Sequence, residues 1–355
     1  MSGDTAHSSE VNRIRQSLDL VRLEAWMNDH VPGFRGPVSA EQFSGGQSNP
    51  TYRLLTPSAT YVLRSKPPGQ LLKSAHAVDR EFRVTSALAQ ADYPVAHPLA
   101  LCTDESVIGR WFYVMNLVEG RIFWNSTFPG ISAEDKPAYF AAMNEAIAGL
   151  HAFDYLGGGL ANYGRASGFI ERQIALWTRQ YCSDSDAGRV DAIDQLIDWL
   201  PRHVPQNEDI SLVHGDFRVD NMIFHPSEPV VLAVLDWELS TLGNPLADFA
   251  YHLMMYHLPP QCPGGMLGEN LASMHIPSAD DYVVSYCRRT ERLGIENLNF
   301  YLAFSMFRFA AIVHGIKGRL VRGNAVSPDA GRLVDQLEAI ANLAAGQMDQ
   351  KVARP

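Results

Sequence analysis

Residues 211–236 constrain the fold of this chain more than any other stretch. Two apolar runs, 222–224 and 230–235, flank the turn sequence Pro226-Ser-Glu-Pro229. Both prolines resist strand continuation, because the ring removes a donor that the ladder needs. Two short strands joined by a tight turn form an antiparallel hairpin. Its open end brings together the residue before the first strand and the residue after the second. Those residues are Asn221 and Asp236. Two oxygen ligands side by side suit Mg²⁺, which takes carboxylates together with substrate phosphates. Asp216, five positions before Asn221, is then a candidate base beside the metal site.

The pattern around the hairpin divides the chain in two. Residues 38–43, 51–55, 59–65, 99–102 and 111–117 read as strands, and 77–90 as one helix inserted among them. A helix over 15–28 precedes them and ends at Pro32-Gly33. After Val118-Glu-Gly the period becomes helical, with helices over 133–151, 169–181, 190–200, 248–257, 280–293, 300–319 and 328–348. The fold class is therefore α+β and bilobal. A small β-rich lobe covers 1–117, and a larger α-rich lobe covers 118–355 and holds the hairpin. The sequence shows no internal repeat or low-complexity tract.

The 355 residues carry a formal net charge of −10, which argues against a nucleic-acid partner bound through a basic surface. Cys102, Cys182, Cys262 and Cys287 are widely separated and form no C-x-x-C pair, so free thiols in a reducing cytosol are expected. The N-terminus has no basic-then-apolar signal pattern. The longest apolar helical segment, about 300–313, is interrupted by Arg308 and reads as too short for a bilayer. A cytoplasmic protein without a membrane partner is the expectation.

Phosphoryl transfer needs a nucleotide held by its phosphates, Mg²⁺ to neutralise charge, and a base that orients the acceptor hydroxyl. His-Gly-Asp-x-x-x-x-Asn at 214–221 has the spacing of the protein-kinase catalytic loop, with Gly215 in place of arginine. On that spacing Asp216 would accept the substrate hydroxyl proton, Asn221 would hold one Mg²⁺, and Asp236 would stand where the kinase Asp-Phe-Gly aspartate stands and bridge Mg²⁺ to the nucleotide phosphates. His214 reads as support for the backbone. Asp248 orders the loop from the following helix. Trp237-Glu238 replaces the Phe-Gly of protein kinases, which argues against a mobile activation switch; Glu238 is either a further ligand or solvated. Asp220 reads as a turn residue, and His252 with His257 as no metal pair.

Leu-Val-His-Gly-Asp-Phe-Arg-Val-Asp-Asn-Met-Ile-Phe and Val-Leu-Asp-Trp-Glu resemble the two signatures of the aminoglycoside phosphotransferase and choline-kinase-like small-molecule kinases. Gly243-Asn-Pro-Leu-Ala-Asp248-Phe-Ala-Tyr is similar to the segment that follows them in that family. Ser44-Gly-Gly-Gln-Ser-Asn-Pro-Thr-Tyr52, Tyr61-Val-Leu-Arg-Ser-Lys-Pro-Pro-Gly69 and Val78-Asp-Arg-Glu-Phe-Arg-Val84 resemble the phosphotransferase domains associated with acyl-CoA dehydrogenases. The resemblance runs in order from about 38 to about 320. It implies a protein-kinase-like fold and nucleotide binding through the first lobe. Gly45 and Gly46 free backbone N–H groups to approach phosphate, with Ser44, Gln47 and Ser48 adding polar contacts; alone, such a Gly-Gly turn is only a hairpin. Arg64 and Glu81 occupy the positions of the kinase lysine–glutamate pair, since a guanidinium can bind phosphate in a fork. Lys66 is the alternative cation. Met115 and Leu117 would offer backbone groups to adenine by position. The loop 259–268, where an acceptor is expected, has no carboxylate. With the subgroup resemblance, that favours a hydroxyacyl-type metabolite over an aminoglycoside. A catalytically silent nucleotide-binding module is the rival, disfavoured because Asp216, Asn221 and Asp236 are all present.

Overall fold

The computed structural model describes residues 11–12, 18–43, 49–67, 77–165, 167–206, 209–324 and 330–349. The chain forms two compact units. The first comprises residues 1–122, 154–160 and 222–240; the second comprises 123–153, 161–221 and 241–355. This division differs from a single cut at 117/118, because the hairpin belongs to the first unit by its contacts.

The first unit is built on a six-stranded antiparallel sheet, in the order Val11–Asn12, Ser39–Phe43, Thr51–Leu55, Thr60–Ser65, Phe112–Asn116, Pro98–Cys102. Strand alternation sends successive side chains to opposite faces. Tyr61 and Leu63, with Tyr52, Leu54, Phe112 and Val114, are buried in one core with Leu23 and Met27 of the helix Leu20–His30. Each large apolar side chain buried there is worth about 1.5–3 kcal/mol. The alternate positions Val62 and Arg64 have Met115 and Tyr113 as register partners. The helix Val78–Gln90 presents Glu81 to Arg64 and Tyr113. The hairpin forms between Met222–Phe224 and Val231–Val234, with Met222 opposite Val234 and an irregularity between Ile223 and Phe224. Arg121 bridges to Phe224, and a side chain on Gly120 would collide with the Phe224 carbonyl.

The second unit is helical. Lys136–Ala152, Phe169–Ser183, Asp191–Trp199, Pro245–Leu253, Ala279–Arg289, Leu298–Val321, Ala330–Val334 and Leu337–Gly346 are its α-helices among the described residues. The Leu298–Val321 helix is 24 residues long and packs against Phe169–Ser183, Pro245–Leu253 and Leu337–Gly346. The expectation of a short segment here is corrected: by length and composition this helix could cross a membrane. Its most apolar window is 78% buried inside the protein, so neighbouring helices account for the apolar surface. A pair of three-residue strands, Ser211–Val213 and Thr241–Gly243, was not expected; they pair antiparallel with Val213 opposite Thr241. The helix start also moves from 248 to Pro245. Asn244 caps it, its side-chain oxygen accepting from the Leu246 and Ala247 N–H groups, with proline at the first helical position.

Candidate active site

In the first unit, Arg64 is the hub of an ion network. Its Nε lies 2.6 Å from Glu81 Oε2, an ion contact, and its Nη2 donates to Asp236 Oδ1 at 2.7 Å. Glu238 Oε2 stands 4.0 Å from the same nitrogen. Three carboxylates thus converge on one guanidinium. Burial opposes the charge on Arg64, but Glu81, Tyr113, Asp236 and Glu238 outweigh it and hold its pKa above the ordinary value. Glu81 is buried; burial, with Asp236 and Glu238 nearby, raises its pKa against the pull of Arg64. Asn49 Nδ2 donates to Glu81 Oε1 at 2.7 Å and the Tyr113 hydroxyl to Oε2 at 3.3 Å. Asn49 and Tyr113 were not singled out from sequence; only Asn49's place at the end of the Gly-Gly segment marked it.

The strand carrying Arg64 stops at Ser65, so Lys66 lies beyond it. Its Nζ sits 3.8 Å from the centroid of the Trp111 ring. Met115 lies inside the strand Phe112–Asn116, and Leu117 is one residue past its end. Ser44, Gly45, Gly46, Gln47 and Ser48 fall outside the described residues.

Asp236 adopts φ +65°, a left-handed conformation that aspartate tolerates better than most residues. The one-turn helix Trp237–Leu239 follows. Trp237 is buried, donates its indole N–H to the Val234 carbonyl at 2.9 Å, and meets Tyr93 edge-on. The tryptophan in place of phenylalanine is thereby pinned to the hairpin, and the carboxylate of Asp236 remains 38% exposed.

In the second unit, a carboxylate shapes the loop that follows Ser211–Val213. Asp248 accepts from the His214 N–H at 2.8 Å and from the Gly215 N–H at 2.8 Å. Gly215 has φ +84°, which is why glycine replaces the kinase arginine here: a side chain would oppose the turn. His151 Nε2 donates to Asp248 Oδ2 at 3.2 Å, while its Nδ1 accepts from the Tyr286 hydroxyl at 2.7 Å. Burial alone would raise the pKa of Asp248; the bonds from His151 and the His214 N–H reverse this and lower it. His151 and Tyr286 were missed, and the sole sequence signal was a histidine in the last turn of an apolar helix. His214 Nδ1 accepts from the Asp216 N–H at 3.2 Å.

This scaffold presents Asp216, whose side chain is 21% exposed. Asn221 Nδ2 donates to the Asp216 carbonyl at 2.9 Å and to its Oδ2 at 3.2 Å. Arg218 Nε lies 3.1 Å from Oδ1, and Arg218 Nη2 contacts Asp220 Oδ2 at 3.0 Å. Asp220 sits in the one-turn helix Val219–Asn221, as a turn residue would, and its side chain is a partly buried ion-pair member. Burial, with the Asp216 carboxylate nearby, raises the pKa of Tyr251. With Asn221 Nδ2 committed to Asp216, its amide oxygen is the atom left for a cation. Asp236 in the first unit and Asn221 in the second each carry a side-chain oxygen, the donor type that Mg²⁺ takes. Among the described residues no group of three or more His, Cys, Asp or Glu could hold a metal by itself. The buried His252 bonds the Tyr282 hydroxyl at 2.8 Å.

Comparison with known proteins decides the family. Residues 39–275 match the phosphotransferase enzyme family. The chain belongs to this family. A crystal structure of a Ralstonia eutropha protein, provisionally named an aminoglycoside phosphotransferase, superposes with TM-score 0.86 at 47% identity, covering 93% of this chain and 98% of that one. Acyl-CoA dehydrogenase family member 11 of Rattus norvegicus is 41% identical over 340 residues, 92% of this chain but 43% of that protein. The chain thus spans less than half the length of this curated relative. The aminoglycoside phosphotransferase APH(4)-Ia, solved with ADP and hygromycin B, shares the fold at TM-score 0.61 and 16% identity, covering 92% of this chain and 99% of that one. The kinase-like α+β fold and the phosphotransferase resemblance drawn from the sequence are borne out.

Proposed function

We propose that this phosphotransferase moves the γ-phosphoryl group of ATP, with Mg²⁺, onto the hydroxyl of a small metabolite of hydroxyacyl type. The observation that carries the reading is Asp216, an oriented and accessible carboxylate on a loop whose backbone is held by Asp248. Such a group accepts the proton of an attacking hydroxyl as the oxygen–phosphorus bond forms. Arg64, anchored by Glu81, is the cation for the α- and β-phosphates. Asp236 and Asn221 supply oxygens to Mg²⁺, which when bound neutralises charge on the transferring phosphoryl. The ADP-bound fold neighbour supports ATP as donor. The hydroxyacyl reading is supported by the relative named as an acyl-CoA dehydrogenase family member.

The test is a transfer screen with labelled ATP across hydroxylated metabolites, hydroxyacyl thioesters and aminoglycosides, with and without Mg²⁺. Label should move to a hydroxyacyl acceptor only with the metal. Preferential transfer to an aminoglycoside would reassign the acceptor, and none to any acceptor would favour a silent nucleotide-binding module.

A further inference from the structure

The carboxylate of Asp216 is gripped at both oxygens by its own loop. Its Oδ2 accepts from Asn221 Nδ2 at 3.2 Å, and Arg218 Nε lies 3.1 Å from its Oδ1. The terminal torsion of an aspartate is soft and two-fold, so the backbone alone does not set which way the carboxylate faces. Contacts on different oxygens do set it. Each oxygen keeps a lone pair for an incoming proton, because an ionised carboxylate offers about four acceptor sites.

Arg218 can hold Asp216 only if it is held itself, since a long side chain loses rotamer freedom when fixed. Asp220 supplies that second hold. Arg218 Nη2 donates to Asp220 Oδ2 at 3.0 Å, and the side chain of Asp220 is 13% exposed against 28% for Arg218. The backbone is pinned at the same points. Phe217 and Val219, on either side of Arg218, are buried, and the Phe217 ring meets the His214 and His252 rings edge-on. The Asn221 N–H donates to the Arg218 carbonyl at 3.0 Å. Asp216, Arg218 and Asp220 thus form a line of alternating charge, all within the second unit.

We propose that Arg218 is the residue that positions the base for the transfer step, with Asp220 as its anchor. The proposal rests on the phosphotransferase reading above. In that step the acceptor oxygen bonds the γ-phosphorus, its proton passes to Asp216, and the bond from phosphorus to the β-phosphate oxygen breaks to leave ADP. As Asp216 becomes neutral, the Arg218 guanidinium loses one of its two anions. Asp220 remains, so the half-buried cation stays balanced instead of being left alone at a cost. The trio passes from one net negative charge to none. Asp220 therefore acts on the reaction through Arg218, at one remove from the reacting atoms.

The experiment compares wild type, Arg218→Met, Arg218→Lys and Asp220→Asn, each also made in an Asp216→Asn background. The probe is Mg·ATP with water in place of the acceptor hydroxyl. Turnover is read as ADP release, Mg·ADP affinity by calorimetry, and folding by thermal melt. Since misplacing a reacting group by about 1 Å can cost about 100-fold, R218M should lower turnover about 10- to 100-fold and leave Mg·ADP affinity and the KM for ATP within about twofold. R218K should recover part of the loss, and D220N should lower turnover in the same sense by less. In the Asp216→Asn background neither Arg218 variant should cost anything further, because the group they position is gone. An equal loss with and without Asp216 would make the trio a structural ion cluster and overturn the proposal while the base reading stands. So would wild-type turnover in R218M, or a loss confined to nucleotide affinity. If R218M does not fold, R218K in the two backgrounds carries the same comparison. Full turnover by Asp216→Asn alone would defeat the base reading, and the proposal with it.

Discussion

Two carboxylate centres in this molecule are built in opposite ways. In the first unit, Glu81, Asp236 and Glu238 share a single guanidinium, and all the contacts are side chain to side chain. In the second, Asp248 is held by two backbone N–H groups and by His151, which Tyr286 orients in turn. In the first centre three carboxylates converge on Arg64, and Asp236 is open to solvent. It is suited to exchange partners when phosphate and a divalent cation arrive. The second is saturated and buried, so it fixes a loop shape and has no spare valence. On the proposed reading, the network that would accommodate a charged substrate is of the first kind, and the one that would hold a base still is of the second.

Perturbing the saturated centre should do the most damage. Asp248→Ala leaves two buried N–H groups and His151 without their acceptor. It is predicted to cost about 3–5 kcal/mol of stability by denaturant melt and to abolish turnover. A mild, activity-only effect would show that Asp248 does not shape the loop.

Asp236→Ala probes the open centre. Stability should change little, while nucleotide affinity should fall by about 10-fold or more in the presence of Mg²⁺ and not in its absence. An equal loss with and without metal would remove Asp236 from the metal site. Arg64→Ala should raise the KM for ATP about 10-fold or more, and Lys66→Ala should raise it less, because Lys66 is engaged with Trp111 while Arg64 is held by Glu81 and Asp236. The reverse order would hand the phosphates to Lys66.

Acid titration sharpens the contrast further. Burial of His252 pushes its pKa down to about 4, against 6.5 for the free side chain. The unfolded chain therefore takes up a proton first. His252 contributes stability fully above about pH 6.5, and this declines by up to about 3 kcal/mol as pH falls towards 4. Asp248, whose pKa is lowered, adds a further loss only below the ordinary carboxylate range. Two stages in a stability–pH curve are expected, and His252→Gln should flatten the first. A single stage untouched by that substitution would refute the assignment.

The strands Thr51–Leu55, Thr60–Ser65 and Phe112–Asn116 were legible because period-two apolar runs were bounded by breakers. The loop 214–221 was legible because its spacing is short and local. The strands Ser211–Val213 and Thr241–Gly243 were not, since three residues carry no period. Asn49, Tyr113, His151 and Tyr286 were missed for a related reason. Each acts on a partner at least 32 residues away, and the fold, rather than a local pattern, brings them together.

The central claim is that Asp216 is the base. The most direct test is single-turnover phosphoryl transfer by Asp216→Asn, with Mg·ATP affinity measured on the same preparation. Affinity should match wild type while transfer falls by about 100-fold or more. Transfer at the wild-type rate would contradict the account.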